Sequence, residues 1–98
     1  MNDFNQHLAA DARLIILKEL VKQPGHVLNE TLLQKVLDTF GHKRTREWIR
    51  TQMRALADVD AVELTQAGSV LIARIKQAGR DHVEGRINLD GVDSPSDF

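Results

Sequence analysis

Two amphipathic helical stripes joined by four residues, with an apolar pattern of period two behind them, predict the fold class. That class is α+β, mostly α: a helix-turn-helix followed by a β-hairpin. The 98 residues make one domain's worth of chain, and 42% hydrophobic with 28% charged residues is an ordinary globular balance. A chain of this size buries somewhat more than about 60% of its unfolded surface, enough for a modest core but not for a deep catalytic cleft.

The first helix is expected from Asp3 to Lys22, with Leu14, Ile16, Leu17, Leu20 and Val21 on its apolar face. Ile15 falls among the polar positions, so it is read as exposed and as a dimer-contact candidate. Pro24-Gly25 ends this helix, His26 to Leu28 form a short extended piece, and Asn29 is suited to cap the next helix. That second helix, Glu30 to Phe40, carries Leu33, Val36, Leu37 and Phe40 at i, i+3, i+4 and i+7, and Gly41 closes it. Only Gly41-His42-Lys43-Arg44 then precede a third helix capped by Thr45. Beyond Asp58, Val62 and Leu64 alternate with Glu63 and Thr65, Gln66 to Ser69 make a turn, and Val70 to Ile75 form a second β-branched run. A helix from Thr65 through Ile75 also fits Leu71, Ile72 and Ile75, but the hairpin is preferred. Gly79 to Gly85 is a short final helix or turn, and the segment from Ile87 reads as a disordered tail with Asp90, Asp93, Asp97 and no base.

Charge points to the third helix. The formal net charge is -1, yet Lys43, Arg44, Arg46, Arg50 and Arg54 face one acid, Glu47, between Gly41 and Arg54. That segment carries +4 and the rest of the chain -5, a distribution that suits a localised anionic partner. A helical wheel puts Ile49, Gln52, Met53 and Leu56 inside, Glu47, Arg50, Thr51 and Arg54 outside, and Arg46 between them at the start. The second helix of a helix-turn-helix enters the major groove with its N-terminal residues. Arg46, Glu47, Arg50 and Thr51 are therefore candidates for base edges, and Lys43, Arg44 and Arg54 for phosphates. Thr45 belongs to the same surface, and Arg74, with Lys76 beside it, could add a flanking phosphate contact. The plainer reading is a solvated helix face on which Glu47 pairs with Arg50 or Arg54.

Other chemistry finds little support. The absence of cysteine excludes disulfides and thiolate chemistry and fits a reducing cytoplasm. No apolar run approaches a membrane span. His7, His26, His42 and His82 lack paired ligand spacing, so no metal site is expected, and His42 reads as a polar turn residue. The acids look surface-like, no glycine loop could cradle phosphate, and no nucleophile motif surrounds the serines. Neither an enzyme nor a cofactor is expected.

The stretch GHKRTREWIRTQMRALADVDAVEL, the element QAGRDHVEGR and the tail motif GVDSP together resemble the small winged-helix proteins of Mu-like phages and prophages. Proteins of that group are often labelled ArsR-like or helix-turn-helix regulators. The resemblance covers most of the chain and implies a winged-helix fold, a phage origin and a regulatory role. Two departures stand out: the tail is acidic where such relatives often end in a basic one, and Asp58 and Asp60 crowd the C-terminal end of the third helix. The combined expectation is a winged helix-turn-helix domain over residues 1–86 and an acidic disordered tail over 87–98. It would bind duplex DNA as a transcription regulator in the bacterial cytoplasm, as a homodimer joined around Ile15. The alternative is a module on the same scaffold that binds a host or phage protein without DNA, and an acidic tail folded over the basic helix is a third possibility.

Overall fold

The computed structural model describes residues 3–95. Among these residues, four helices and a three-stranded antiparallel sheet give an α+β, mostly helical architecture. In chain order these are α1 (Asp3–Lys22), β1 (Val27–Asn29), α2 (Glu30–Thr39), α3 (Arg46–Asp58), β2 (Val62–Ala67), β3 (Val70–Ile75) and α4 (Gln77–Val83). A single 3-10 turn, Pro24–His26, separates α1 from β1.

The helix α1 is the hub, touching α2, α3, α4 and β3. A helix with neighbours on several sides must be apolar on several sides. Leu14, Ile15, Ile16 and Leu17 are accordingly all buried in succession. Ile15 is thus not the exposed residue expected from the wheel: only 8% of it remains accessible. The wheel divides a helix into one inner and one outer face, and α1 has no such division in its middle.

Local signals fix the next elements. The Asn29 side chain accepts from the Leu32 N–H at 2.8 Å, and Thr45 does the same for Trp48 at 3.1 Å, so both helices start where capping residues allow. The end of α2 is a Schellman turn: the Gly41 N–H bonds the Asp38 carbonyl and the His42 N–H bonds Leu37, with Gly41 at φ +93°. The same turn ends α3, but there Asp60 takes the left-handed position at φ +63°. Asp60 thus closes the helix, and its carboxylate pairs with Lys76. Leu33 and Leu37 are buried on α2, whereas Phe40, the last member of the stripe, is 58% exposed because the helix has already ended.

The hairpin expected after Asp58 is present. β2 and β3 pair from Val62↔Ile75 to Ala67↔Val70 around Gly68-Ser69, and β1 adds to the other edge of β3 in the register Leu28↔Ala73. Leu71, Ala73 and Ile75 face the core, while Arg74 stands on the outer face.

Residues 87–95 differ from the disordered tail that composition suggested. Leu89 donates its N–H to Nδ1 of the buried His82 at 3.1 Å, and His82 Nε2 donates to the Asp93 carbonyl at 2.7 Å. The Asp93 N–H reaches the Ala10 carbonyl, Arg13 donates to the Gly91 carbonyl at 3.0 Å, and Leu89 and Val92 pack on the core. This segment lies against α1 and α4, not over α3. Asp97 falls outside the described residues.

Two measurements check this packing. A Cβ on Gly79 would stand 2.5 Å from the Ala61 carbonyl oxygen and 2.8 Å from Ile75 Cγ1. Gly79→Ala is expected to cost about 1–3 kcal/mol, which thermal circular dichroism would read as a fall of roughly 5–20 °C. Truncation after Arg86 strips His82 of both partners and should destabilise by at least about 2 kcal/mol in urea unfolding. An unchanged midpoint would show that the segment does not dock.

Candidate nucleic-acid interface

The sequence-predicted cluster lies on α3 and the turn before it, and the structure sorts its members into three groups. Lys43, Arg46 and Arg54 are exposed. Lys43 and Arg54 form no ion pair among the described residues. Arg44 is half-buried, with its guanidinium carbon 4.7 Å from the centre of the Trp48 ring. Arg50 is drawn inward.

The cause is Glu30. As the first residue of α2 it sits where an acid favours the helix dipole, yet its side chain is fully buried. Its Oε1 accepts from Arg50 Nε at 3.0 Å and from the Leu71 N–H of β3. Arg50 also donates from Nη2 to the Ser69 carbonyl at 3.1 Å, and its Nη1 lies 3.6 Å from Glu47 Oε2. With all three nitrogens engaged and 19% of its side chain exposed, Arg50 is a brace between α3 and the hairpin. It is not the outward base-reading residue that the wheel suggested. Glu30 likewise departs from the surface-like reading of the acids. A wheel drawn for α3 alone contains neither Glu30, twenty positions away, nor the turn of the hairpin.

The turn itself is rigidly supported. Gln34 Nε2 donates to the Arg44 carbonyl at 2.9 Å. His42 is buried, bonded through Nε2 to Asp11 Oδ2 at 2.7 Å, and stacked on Trp48 with 6.1 Å between ring centres. His42 is therefore a structural link between the turn and α1. Arg13, whose pKa burial lowers, donates to Gln52 Oε1 at 2.9 Å, and Gln52 donates to the Trp48 carbonyl, anchoring α3 to the same helix. Sequence reading passed over Glu30, Gln34 and Gln52. Only Gln52 gave a signal, as a polar residue on an apolar face.

Thr45 is occupied as the cap, and Thr51 donates its hydroxyl to the Glu47 carbonyl. Glu47 itself is 76% exposed. Arg74 does not join the cluster. It lies near the far end of β3 from the Gly68-Ser69 turn and donates to the Gly25 carbonyl at 3.0 Å. Lys76 is held by Asp60, whose hydrogen bond and charge raise its pKa.

The chain is 33% identical over 91 residues to the uncharacterized protein gp26 of Escherichia phage Mu, an alignment covering 93% of this chain and 94% of gp26. It belongs to the gp26 family of Mu-like phages. No protein-family model and no solved structure matches this gp26-family chain. Among its described residues, no helix is long and apolar enough to cross a membrane.

The brace is open to a direct check. Arg50→Met leaves Glu30 without its main partner and should lower the stability of the gp26-family protein by about 3 kcal/mol, on the order of 10–20 °C in Tm. Arg54→Ala, on the exposed face, should stay within about 0.5 kcal/mol of the parent.

Proposed function

We propose that this phage protein is a winged helix-turn-helix DNA-binding regulator. In this reading α2 and α3 form the helix-turn-helix, the β2–β3 hairpin is the wing, and α3 lies in the major groove. The observation that supports it most is the separation of faces on α3. Ile49, Met53 and Leu56 are buried, while Arg46 and Arg54, with Lys43 in the preceding turn, remain available at the solvent side. Lys43, Arg44 and Arg54 hold phosphates, and Arg46, Glu47 and Thr51 lie where base edges pass. The protein works in the cytoplasm of the bacterial host and needs no cofactor. A second copy would double the short DNA footprint. With Ile15 buried, any pairing uses another surface, and the exposed Phe40 beside the turn is the apolar group nearest at hand.

A rival reading keeps the scaffold but gives it a host or phage protein as partner. It draws on Phe40 and on the hairpin turn, Gln66 to Ser69, which carries no base for a DNA backbone.

Fluorescence anisotropy of a mixed-sequence duplex, titrated at several salt concentrations, decides between them. Three phosphate contacts predict a slope of about -3 in log affinity against log salt. The Lys43→Ala, Arg54→Ala double variant should lose about two units of that slope. Absence of binding at low salt overturns the DNA reading and leaves the protein partner in front.

A further inference from the structure

The Glu30 carboxylate has a second oxygen whose position bears on base recognition. Oε2 is buried and accepts no hydrogen bond, and Arg46 Nε lies 3.5 Å from it. Arg46 is the first residue of α3, and its side chain is half exposed. The Arg46 side chain forms no other hydrogen bond or ion pair among the described residues. One edge of its guanidinium therefore faces a fixed buried charge, and the Nη1/Nη2 edge remains unused.

We infer that Glu30 is a positioning residue that presents the Arg46 Nη1/Nη2 pair to guanine in the major groove. The inference rests on the DNA-binding reading above. A guanidinium carries five N–H donors in one plane, so a carboxylate at Nε restricts its orientation without consuming the terminal pair. Guanine offers two acceptors, O6 and N7, on its major-groove edge with the spacing such a pair matches. Restraint before binding reduces the side-chain ordering that recognition would otherwise require.

The other cations of the segment are not arranged this way. Arg50 has its three nitrogens engaged, Arg44 lies over Trp48, Lys43 has no fork, and Arg54 forms no ion pair among the described residues. A phosphate oxygen pair could also take the Arg46 fork, but it would carry no base preference.

The test selects duplexes from a pool with a randomised core, then measures affinity for the best duplex and for versions with each G·C pair replaced by A·T. The full-length protein should lose roughly 5- to 150-fold at one G·C pair. Arg46→Lys keeps the charge but cannot hold Glu30 and present a fork together, so that ratio should fall towards one. Glu30→Gln should do the same, because it keeps an acceptor for the Leu71 N–H and removes the charge facing Arg46. Thermal melts of both variants accompany the titrations. Should Glu30→Gln not fold, a base preference kept by Arg46→Lys still overturns the inference, since that variant leaves the Glu30–Arg50 contact intact. A ratio preserved in Arg46→Lys, or in folded Glu30→Gln, overturns the inference, as does duplex binding by the parent protein with no base preference. Parent protein that binds no duplex even at low salt fails earlier, and that failure belongs to the DNA reading itself.

Discussion

A buried carboxylate sets the relation between the parts of this protein. Glu30 stands at the junction where β1 becomes α2, and its Oε1 binds both an arginine of α3 and a backbone amide of β3. Removing a charge from water costs several kcal/mol, and only close, well-directed partners offset it. The cost makes the arrangement intolerant of drift. If α3 rotated, Arg50 would leave the carboxylate, and if the hairpin slid by one residue, Leu71 would withdraw its N–H. The orientation of the basic helix against the hairpin is therefore coupled to the burial of one ionised group.

The local signals of the fold were legible in the sequence. Asn29, Thr45 and Gly41 act at single positions, through a side-chain acceptor or a left-handed backbone, and each sits where its chemistry requires. The period-two alternation of Val62 and Leu64, and the β-branched run from Val70 to Ile75 beyond a turn, likewise need only the pleat of a strand to explain them. What escaped was set by partners far along the chain. Ile15 is buried because several elements pack around α1, and the segment 87–95 is ordered because His82 has two ring nitrogens to satisfy. Arg50 looks outward on any wheel of α3, since the carboxylate that turns it inward belongs to another helix.

Much of the candidate site was legible too, but its division of labour was not. The run from Lys43 to Arg54 was recognisable as a basic surface from composition alone. Its five bases differ in what surrounds them. One is bound to Glu30, one lies against Trp48, one faces Glu30 across 3.5 Å, and two stand in solvent. A count of charges treats them as equal, whereas an anion would meet them with very different freedom. Turn rigidity adds to this difference. Asp11, His42, Trp48 and Arg44 form a continuous series of contacts from α1 to the surface, so two of the turn's four residues tie it to α1 and α3.

The acidic remainder of the chain fits the same picture. Its -5 balance would oppose an anionic partner if it lay on the exposed face of α3, but the tail backbone is held against α1 and α4 by Arg13, Ala10 and His82. Asp60 is neutralised locally by Lys76, and Glu30 is enclosed by arginines. Screening in water weakens whatever acids remain beyond about 10 Å. A protein of net charge -1 can thus present a positive surface, because attraction of a nearby polyanion depends on which charges are close, unpaired and exposed to it. On α3 and its preceding turn those are Lys43 and Arg54, joined by the terminal nitrogens of Arg46 that its contact with Glu30 leaves exposed, with the acids Glu47 and Asp58 on the same helix.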